Sequence, residues 1–526
     1  MLDYIFYGGG TKQWTTLYHN GPLFSELYKP HKIPIIINGI EIILPELAEE
    51  YATMYARYLN TPYIENKRFN NNFWKDFKKV LPKNTYQIQS IKEIDFSLIH
   101  NYLIKKKESI TKEEKQKLKE AQEKYEEPYK YCIIDGIKQN IGNYKVEPPC
   151  IFIGRGEHPK IGRIKARIMP EDVIINISKD APIPKPNLDN HKWKKVIHNK
   201  EVIWLAAWKE NITNKIKYIF TSLDSIFKSK SDEEKFNLAR KLKKKITYIR
   251  DSYEQDLSHS NMKIKQLATA LYFIDHLALR VGGGKSSKET VDTVGATTLK
   301  IENIKLLDDL IIKLDFLGKD VIRYCKKIKV SNVVYNNLQI FIADKDKKSL
   351  LFDLINATAL NEYLISYMPN LTAKVWRTYN ASYLFQKELD KIKIADNIAS
   401  NEQINYLITM FNNANLSVGL LCNHQKKSLS KNNLSKYTDK IKKIKTSKKM
   451  SNKEMKTKIK LLKLKKKLYI NTRTVSLDTS KNNYIDPRII FSFIKKYNIP
   501  PEKIFSKKLI NRFKWADDIT DEHFRF

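Results

Sequence analysis

The chain lacks the marks of several large protein classes. None of its 526 residues begins a run of the ~18 consecutive apolar residues that span a membrane. The most apolar stretches, Ile33–Leu44 and Val202–Trp208, are too short, and Asn38 and Glu41 interrupt the first. The start, Met1-Leu2-Asp3-Tyr4, has neither the basic nor the apolar region of a secretion signal. Cysteine is scarce: Cys132, Cys150, Cys325 and Cys422 form no CxxC pair. That excludes a disulfide framework, argues against a cysteine zinc site and points to a reducing compartment. Acidic residues are in deficit, with 58 Asp+Glu against 95 Lys+Arg and a formal net charge of +37. Such a field excludes an acidic solvating protein and calls for a polyanionic partner, nucleic acid first and an anionic membrane surface second.

Cofactor motifs are missing too. Gly282-Gly-Gly-Lys-Ser286 resembles the end of a phosphate-binding loop, but the required first glycine is Leu279 and the run follows a helical pattern where a strand is needed. Gly154-Arg-Gly156 lacks the third glycine of a dinucleotide fingerprint. There is no HExxH and no GxSxG, and the 10 histidines have no ligand spacing. Nothing demands a metal or an organic cofactor, so none is expected.

What the chain has is enough apolar material (42%, with 11% aromatic) for several cores. Its length allows about three to five domains or subdomains. Residues 1–110 mix short apolar runs with turns, and Ile33–Ile43 reads as a hairpin closed by Asn38-Gly39. Residues 111–127 read as a charged helix opened by a Thr111–Glu114 capping box and exposed to solvent all round. Residues 130–225 are richer in Pro, Gly and strand formers, with a tight polar turn expected within Ile151–Gly162 and a strand at Val202–Trp208. Helical spacing follows over Glu233–Asp251 and Met262–Val281, then strands over Leu310–Phe316 and Val321–Val330, then helices to His424. Residues 426–470 hold 18 lysines against Asp439 and Glu454. Leu434, Tyr437, Ile441 and Ile444, then Met455, Ile459 and Leu462, keep a heptad-like seam, and Ser451–Glu454 fits a second capping box. The pattern predicts two basic helices folded as an antiparallel hairpin, with a disordered lysine-rich tether as the alternative.

The candidates for chemistry are basic. Arg280 closes the apolar helical run Leu277-Ala-Leu-Arg280, and Lys319 sits at a Gly-Lys turn between two strands. Arg377 stands among aromatics in Thr372–Ser382, and His424 follows a helix in Leu421-Cys-Asn-His424. Singly, each reads as well as a surface ion pair or a structural histidine.

Together they strongly resemble the eukaryotic nuclear type IB DNA topoisomerase family. Leu271–Arg280, Asp315–Asp320, Thr372–Ser382, Leu421–Gln425 and Thr479-Ser-Lys-Asn-Asn-Tyr-Ile-Asp-Pro-Arg488 look like that family's signatures in its order. Gly154–Lys160, Arg167–Asn176 and the ending Trp515–Phe524 agree, so the resemblance runs from about Trp14 to Phe526. It implies an α+β multidomain fold. A mixed β/α cap lobe (1–225) and a mostly helical catalytic lobe (226–425) would clamp duplex DNA, followed by a helical linker (426–470) and a small C-terminal domain (471–526). The lobes would meet at His158-Pro-Lys160 and Glu289-Thr-Val291. Tyr484 would be the nucleophile, Arg280, Arg377 and His424 would hold the scissile phosphate, and Lys319 would protonate the departing 5′ oxygen. Arg155, His158, Lys160, Lys285, Asp320 and Asn483 would contact DNA. The expected enzyme is a monomer that relaxes supercoils of both signs through a 3′-phosphotyrosyl intermediate, without ATP or metal, in the nucleus. The route there is left open, because Met1 nearly begins the core and the family's long targeting tail would be absent. Departures from the family are Gly283-Gly284 in place of an Asn-Glu pair, Glu157 in place of a neutral Asn, and a linker shorter than in animal members. The alternatives are a tyrosine recombinase or integrase, and a catalytically silent DNA-binding protein.

Overall fold

Asn38 and Gly39 take left-handed angles (φ 51° and 80°) and join Ile35–Ile37 to Ile40–Ile42 in an antiparallel pair, the hairpin their sequence predicts. The computed structural model describes residues 11–82, 88–154, 156, 158–283, 293–393, 400–426, 434–446 and 451–526. They fall into two units, one before and one after the junction at Lys228 and Ser229.

The first unit begins with β1 (Leu17–His19), β2 (Ile35–Ile37), β3 (Ile40–Ile42), α1 (Glu46–Ala56), α2 (Lys67–Phe77), β4 (Ile94–Asp95), α3 (Ser97–Ser109) and α4 (Lys112–Glu126). It continues with β5 (Tyr131–Ile134), β6 (Ile137–Asn140), β7 (Cys150–Ile151), β8 (Ile164–Lys165), β9 (Ile174–Asn176), β10 (Lys195–Ile197), β11 (Trp204–Lys209) and β12 (Ile216–Phe220). The strands form small sheets in the orders β1-β5-β6, β10-β9-β11-β12, β3-β2-β4 and β7-β8. One core gathers Phe69, Phe73, Phe77 and Phe96 under β2, and another gathers Trp14, Val173 and Trp208. Helix α4 is capped at Thr111, whose hydroxyl accepts from Glu114 N while the Glu114 carboxylate reaches back to Thr111 N. The tight turn expected within Ile151–Gly162 falls at its end, where Ile161 N donates to His158 O and Arg163 N to Lys160 O (3.1 Å each). Strands β7 and β8 pair Ile151 with Ile164, and a long loop separates them. That loop passes so close to α2 that a Cβ on Gly162 (φ 91°) would stand 2.1 Å from the Phe69 carbonyl oxygen, so the position admits only glycine.

The second unit contains α5 (Ile226–Asp256, whose first turn belongs to the first unit), α6 (Met262–Leu277), β13 (Ile304–Leu307), β14 (Ile311–Gly318), β15 (Ile322–Lys329), α7 (Asn332–Ile342), α8 (Ala357–Tyr367), α9 (Ala373–Asp390) and α10 (Ser400–Leu421). It ends with α11 (Leu434–Lys445), α12 (Asn452–Asn471), α13 (Leu477–Asn483), α14 (Pro487–Lys496), α15 (Lys507–Arg512) and α16 (Lys514–Asp518). One continuous core includes Phe236, Leu271, Leu314, Trp376, Phe411 and Ile490. Helix α6 stops four residues before the periodicity does, because Ala278 turns left-handed (φ 49°). Arg280 therefore stands beyond the helix and not on its last turn. Helices α11 and α12 run antiparallel: Tyr437 meets Tyr469 (5.6 Å between ring centroids) and Lys466 donates to the Thr438 hydroxyl. No helix among the described residues is long and apolar enough to cross a membrane, and no group of His, Cys, Asp and Glu among them could hold a metal ion.

Asp275 ties α5, α6 and α9 together. Its carboxylate is buried and accepts from Arg250 Nε and Nη2 (2.8 Å each), Tyr253 Oη (2.8 Å) and Trp376 Nε1 (2.9 Å). Burial alone would raise its pKa, but these donors outweigh it and hold the carboxyl below the ordinary range. Asp275→Ala should destabilise the protein by about 3 kcal/mol, since it strands buried donors, and a urea titration measures this. A depressed carboxyl pKa stabilises above the unfolded value, and that stability is lost as pH falls through the folded one. The gap between wild type and variant should therefore narrow in acid.

Candidate active site

Four of the sequence's basic candidates meet on one pocket of the second unit. Arg280, Lys319, Arg377 and His424 line it, together with Asp320, Tyr324 and Thr479, in a cavity of about 240 Å³.

Each arrives from a different element. Arg377 lies on α9 and is 4% exposed. One Nη donates to the carbonyl of Ala278, which caps α6, and the other donates to the carbonyl of Cys422 at 2.5 Å, just past α10. The guanidinium thus lies where the negative ends of two helix dipoles converge. Its Nε is buried without a hydrogen-bond partner among the described residues, and no carboxylate there pairs with it. A buried cation balanced only by carbonyl dipoles leaves the pocket positive and ready for an anion.

Arg280 is held by its backbone. Ala296 N donates to Arg280 O and Thr297 N to Val281 O, both at 2.8 Å. Gly282 and Gly295 allow this approach, since a Cβ on Gly295 would stand 2.3 Å from Gly282 N. Lys319 is exposed on the turn between β14 and β15, where Gly318 pairs with Ile322. The next two residues, Asp320 and Val321, take φ 66° and 62°, and for branched Val321 that is a strained conformation. The hairpin is tied to the histidine loop. Asn423 Nδ2 and Gln425 Nε2 both donate to Arg323 O (3.2 and 3.1 Å), and Lys326 Nζ donates to Leu420 O (2.9 Å).

His424 is 4% exposed, with Nδ1 2.7 Å from Ser480 Oγ and Nε2 3.3 Å from Arg377 Nη2. Burial first, then Arg377 and Arg280, push its pKa down to about 3, so the ring is neutral. Tyr484 completes the group. Its ring stacks on His424 (5.2 Å, 27°), and the Arg377 guanidinium lies over it at 5.0 Å. The turn that carries it is fixed from three sides. Ser382 Oγ donates to Tyr484 O (3.1 Å) and accepts from Asp486 N (2.9 Å), Tyr484 N donates to Ser480 O (2.9 Å), and Lys235 Nζ donates to Asn483 O (3.0 Å). Below the histidine, Lys426 N donates to Thr474 O and Ser476 N to His424 O, both at 2.7 Å, closing the base of the α11–α12 hairpin.

The other predicted residues divide. Asp320 lines the pocket, and exposed Asn483 adjoins Tyr484 and donates to Thr479 O (3.2 Å). His158 and Lys160 belong to the first unit. There, buried His158 packs edge-on against Phe152 (4.9 Å) and accepts from Lys160 N (3.1 Å), while Lys160 Nζ donates to Ile212 O (2.6 Å). Arg155, Glu157, Gly284, Lys285 and Glu289–Val291 lie outside the described residues. Sequence reasoning missed Ser480, Ser382, Asn423 and Gln425. All four lie inside or beside the quoted motifs, and polar residues bordering a catalytic motif were the only signal for them.

The pocket is thus lined by three cationic side chains and a neutral histidine, with the Tyr484 ring packed against that histidine and Arg377. The DNA-binding fragment of eukaryotic DNA topoisomerase I matches residues 12–221, the catalytic core of that enzyme matches 224–458, and the C-terminal topoisomerase domain matches 456–526. The chain is 39% identical to DNA topoisomerase 1 of Homo sapiens over 556 residues, covering 98% of this chain and 72% of that protein. It is 40% identical to DNA topoisomerase 1 of Caenorhabditis elegans over 559 residues (98% and 68%). It is 39% identical over 557 residues to the human protein named DNA topoisomerase I, mitochondrial (98% and 92%). The class is therefore a type I topoisomerase, an enzyme that acts on DNA. The chain belongs to the eukaryotic DNA topoisomerase I family.

Proposed function

We propose that the protein relaxes positive and negative supercoils by cutting one strand of duplex DNA, letting it rotate and resealing it. The observation that carries this reading is the convergence of Arg280, Lys319, Arg377 and His424 on one pocket, with the Tyr484 ring against His424 and Arg377. In the proposed step, Tyr484 Oη attacks the scissile phosphorus and gives its proton to solvent. The P–O5′ bond breaks, Lys319 protonates the leaving 5′ oxygen, and the phosphate stays on Tyr484 as a 3′ ester. Arg280, Arg377 and His424 hold the non-bridging oxygens as charge builds on them. Resealing is the reverse step. The ester conserves the energy of the broken bond, which supports a reaction without ATP. The cationic side chains supply the charge stabilisation that a metal gives elsewhere, which supports a metal-independent reaction. Arg155 and Asp320 act near the cleavage point, Lys285 and Asn483 contact the DNA, and the first unit, with Arg155, His158 and Lys160, grips the duplex. We take the enzyme to be a nuclear monomer, divided at about 225, 425 and 470. Relaxation of a supercoiled plasmid lacking recombination sites, in EDTA and without ATP, tests the reading. Full relaxation of both signs is the expected result, and no relaxation or site-dependent recombination would overturn it.

The α11–α12 hairpin is proposed to lie along downstream DNA and slow its rotation. Changing about eight of the lysines in 426–470 to glutamine should leave single-turnover cleavage of a short duplex within about threefold, because no transition-state contact is removed. The salt optimum for plasmid relaxation should fall, since each lysine lost weakens the counterion-release attraction. More turns should be released per cleavage event, as read by single-molecule rotation. An unchanged salt optimum and unchanged turns would reduce the hairpin to a tether.

A further inference from the structure

We propose that Ser480 is a positioning residue that lets His424 exchange the ring nitrogen carrying its proton when a phosphate enters the pocket. The inference rests on the reading of His424 as a phosphate ligand. Its geometry is independent of that reading.

Arg377 Nη2 can only donate, and it lies 3.3 Å from His424 Nε2. Without DNA, Nε2 must therefore offer its lone pair, and the ring proton sits on Nδ1, donated to Ser480 Oγ at 2.7 Å. A phosphate oxygen needs the opposite arrangement, because Nε2 must then carry a proton to donate. Nδ1 is left as an acceptor, buried, and needs a donor. Only a group that both donates and accepts serves both states. A hydroxyl does, whereas a carboxylate or a backbone carbonyl, which only accept, would fix the Nδ1–H form. Ser480 is fully buried, and its own carbonyl accepts from Tyr484 N (2.9 Å) and Ile485 N (3.0 Å). Its backbone is thus fixed by the nucleophile's turn while its hydroxyl remains free to rotate.

The charged and titratable groups facing His424 are Arg377 from α9, Arg280 beyond α6, Tyr484 from the α13–α14 turn, Lys319, Asp320 and Tyr324 across the pocket, and Cys422 on its own segment. Asp320 is the one carboxylate lining the pocket among the described residues. Burial and the two arginines keep the ring neutral without DNA. Tautomer exchange, and not standing protonation, is therefore the route to an Nε2 donor at neutral pH.

The test uses the full chain in two measurements. In the first, ¹⁵N-histidine NMR is recorded on Tyr484→Phe with Ser480 intact, and the His424 signals are identified by their loss in His424→Gln. The free enzyme should show the Nδ1–H tautomer, and adding a short duplex should convert it to Nε2–H. The same tautomer in both states would overturn the proposal. In the second, single-turnover cleavage is followed against pH. Ser480→Ala should slow cleavage roughly 10–100-fold near pH 8, the usual size of losing a hydrogen bond that orients a histidine ligand. The deficit should shrink as pH falls, because the bound phosphate anion raises the ring's pKa in the complex and an imidazolium carries Nε2–H whether or not Ser480 is present. Ser480→Thr, which keeps the hydroxyl, should recover most of the rate. A deficit independent of pH would assign Ser480 a packing role only. If wild type forms no covalent adduct at all, the reading of the site fails. If it forms one and the deficit is flat, only this inference fails.

Discussion

Tyr484→Phe should abolish plasmid relaxation and covalent adduct formation together while leaving duplex affinity unchanged. The substitution removes one oxygen. The ring that stacks on His424 and lies beneath Arg377 remains, and the backbone contacts of Ser382, Ser480 and Lys235 to this turn do not involve the phenol. Loss of the nucleophile leaves no partial pathway, so the effect should be complete within detection. Denaturing gels after trapping with labelled duplex measure the adduct, and fluorescence anisotropy measures affinity. An adduct that persists in the variant, carried by another of the 29 tyrosines, would refute the assignment.

Lys319→Ala should slow cleavage by about 10²–10⁴-fold, the usual worth of a positioned general acid. The lysine sits on an exposed turn, and its removal strands no buried partner, so folding should be intact and the loss confined to the chemical step. A 5′-bridging phosphorothiolate leaves without needing a proton. On that substrate the variant should cleave nearly as fast as wild type. A deficit of equal size on both substrates would make Lys319 a simple electrostatic contact.

Much of this site could be read from the sequence, because its parts lie in short runs with distinctive order. Local rules also carried the fold well where the chain decides alone: the Asn38-Gly39 hairpin, the Thr111 and Ser451 capping boxes and the antiparallel pair α11 and α12 all appear in the structure. The limits are physical. Apolar periodicity ran on to Val281, but one left-handed alanine ended α6 four residues earlier and freed Arg280 to enter the pocket. The loop between β7 and β8 holds its expected turn, but its path is set by Gly162 against α2, a contact between residues far apart in sequence. Ser480 and Ser382 act through buried hydrogen bonds to distant elements, and no local pattern encodes such pairings. Tyr484 itself was legible only through resemblance. Composition and spacing could not single it out among so many tyrosines.

The closed base of the lysine-rich hairpin has a consequence for how this chain can change over time. The two backbone bonds joining Lys426 to Thr474 and Ser476 to His424 bring the ends of the insertion side by side. Whatever lies between them is a closed loop hung from a fixed root. Doubling a flexible loop adds only about 0.6 kcal/mol of closure cost. Its length and charge can thus drift by whole helical turns while Ser480 and Tyr484 keep their places, so the proposed rotational brake and the proposed cutting chemistry are free to evolve separately.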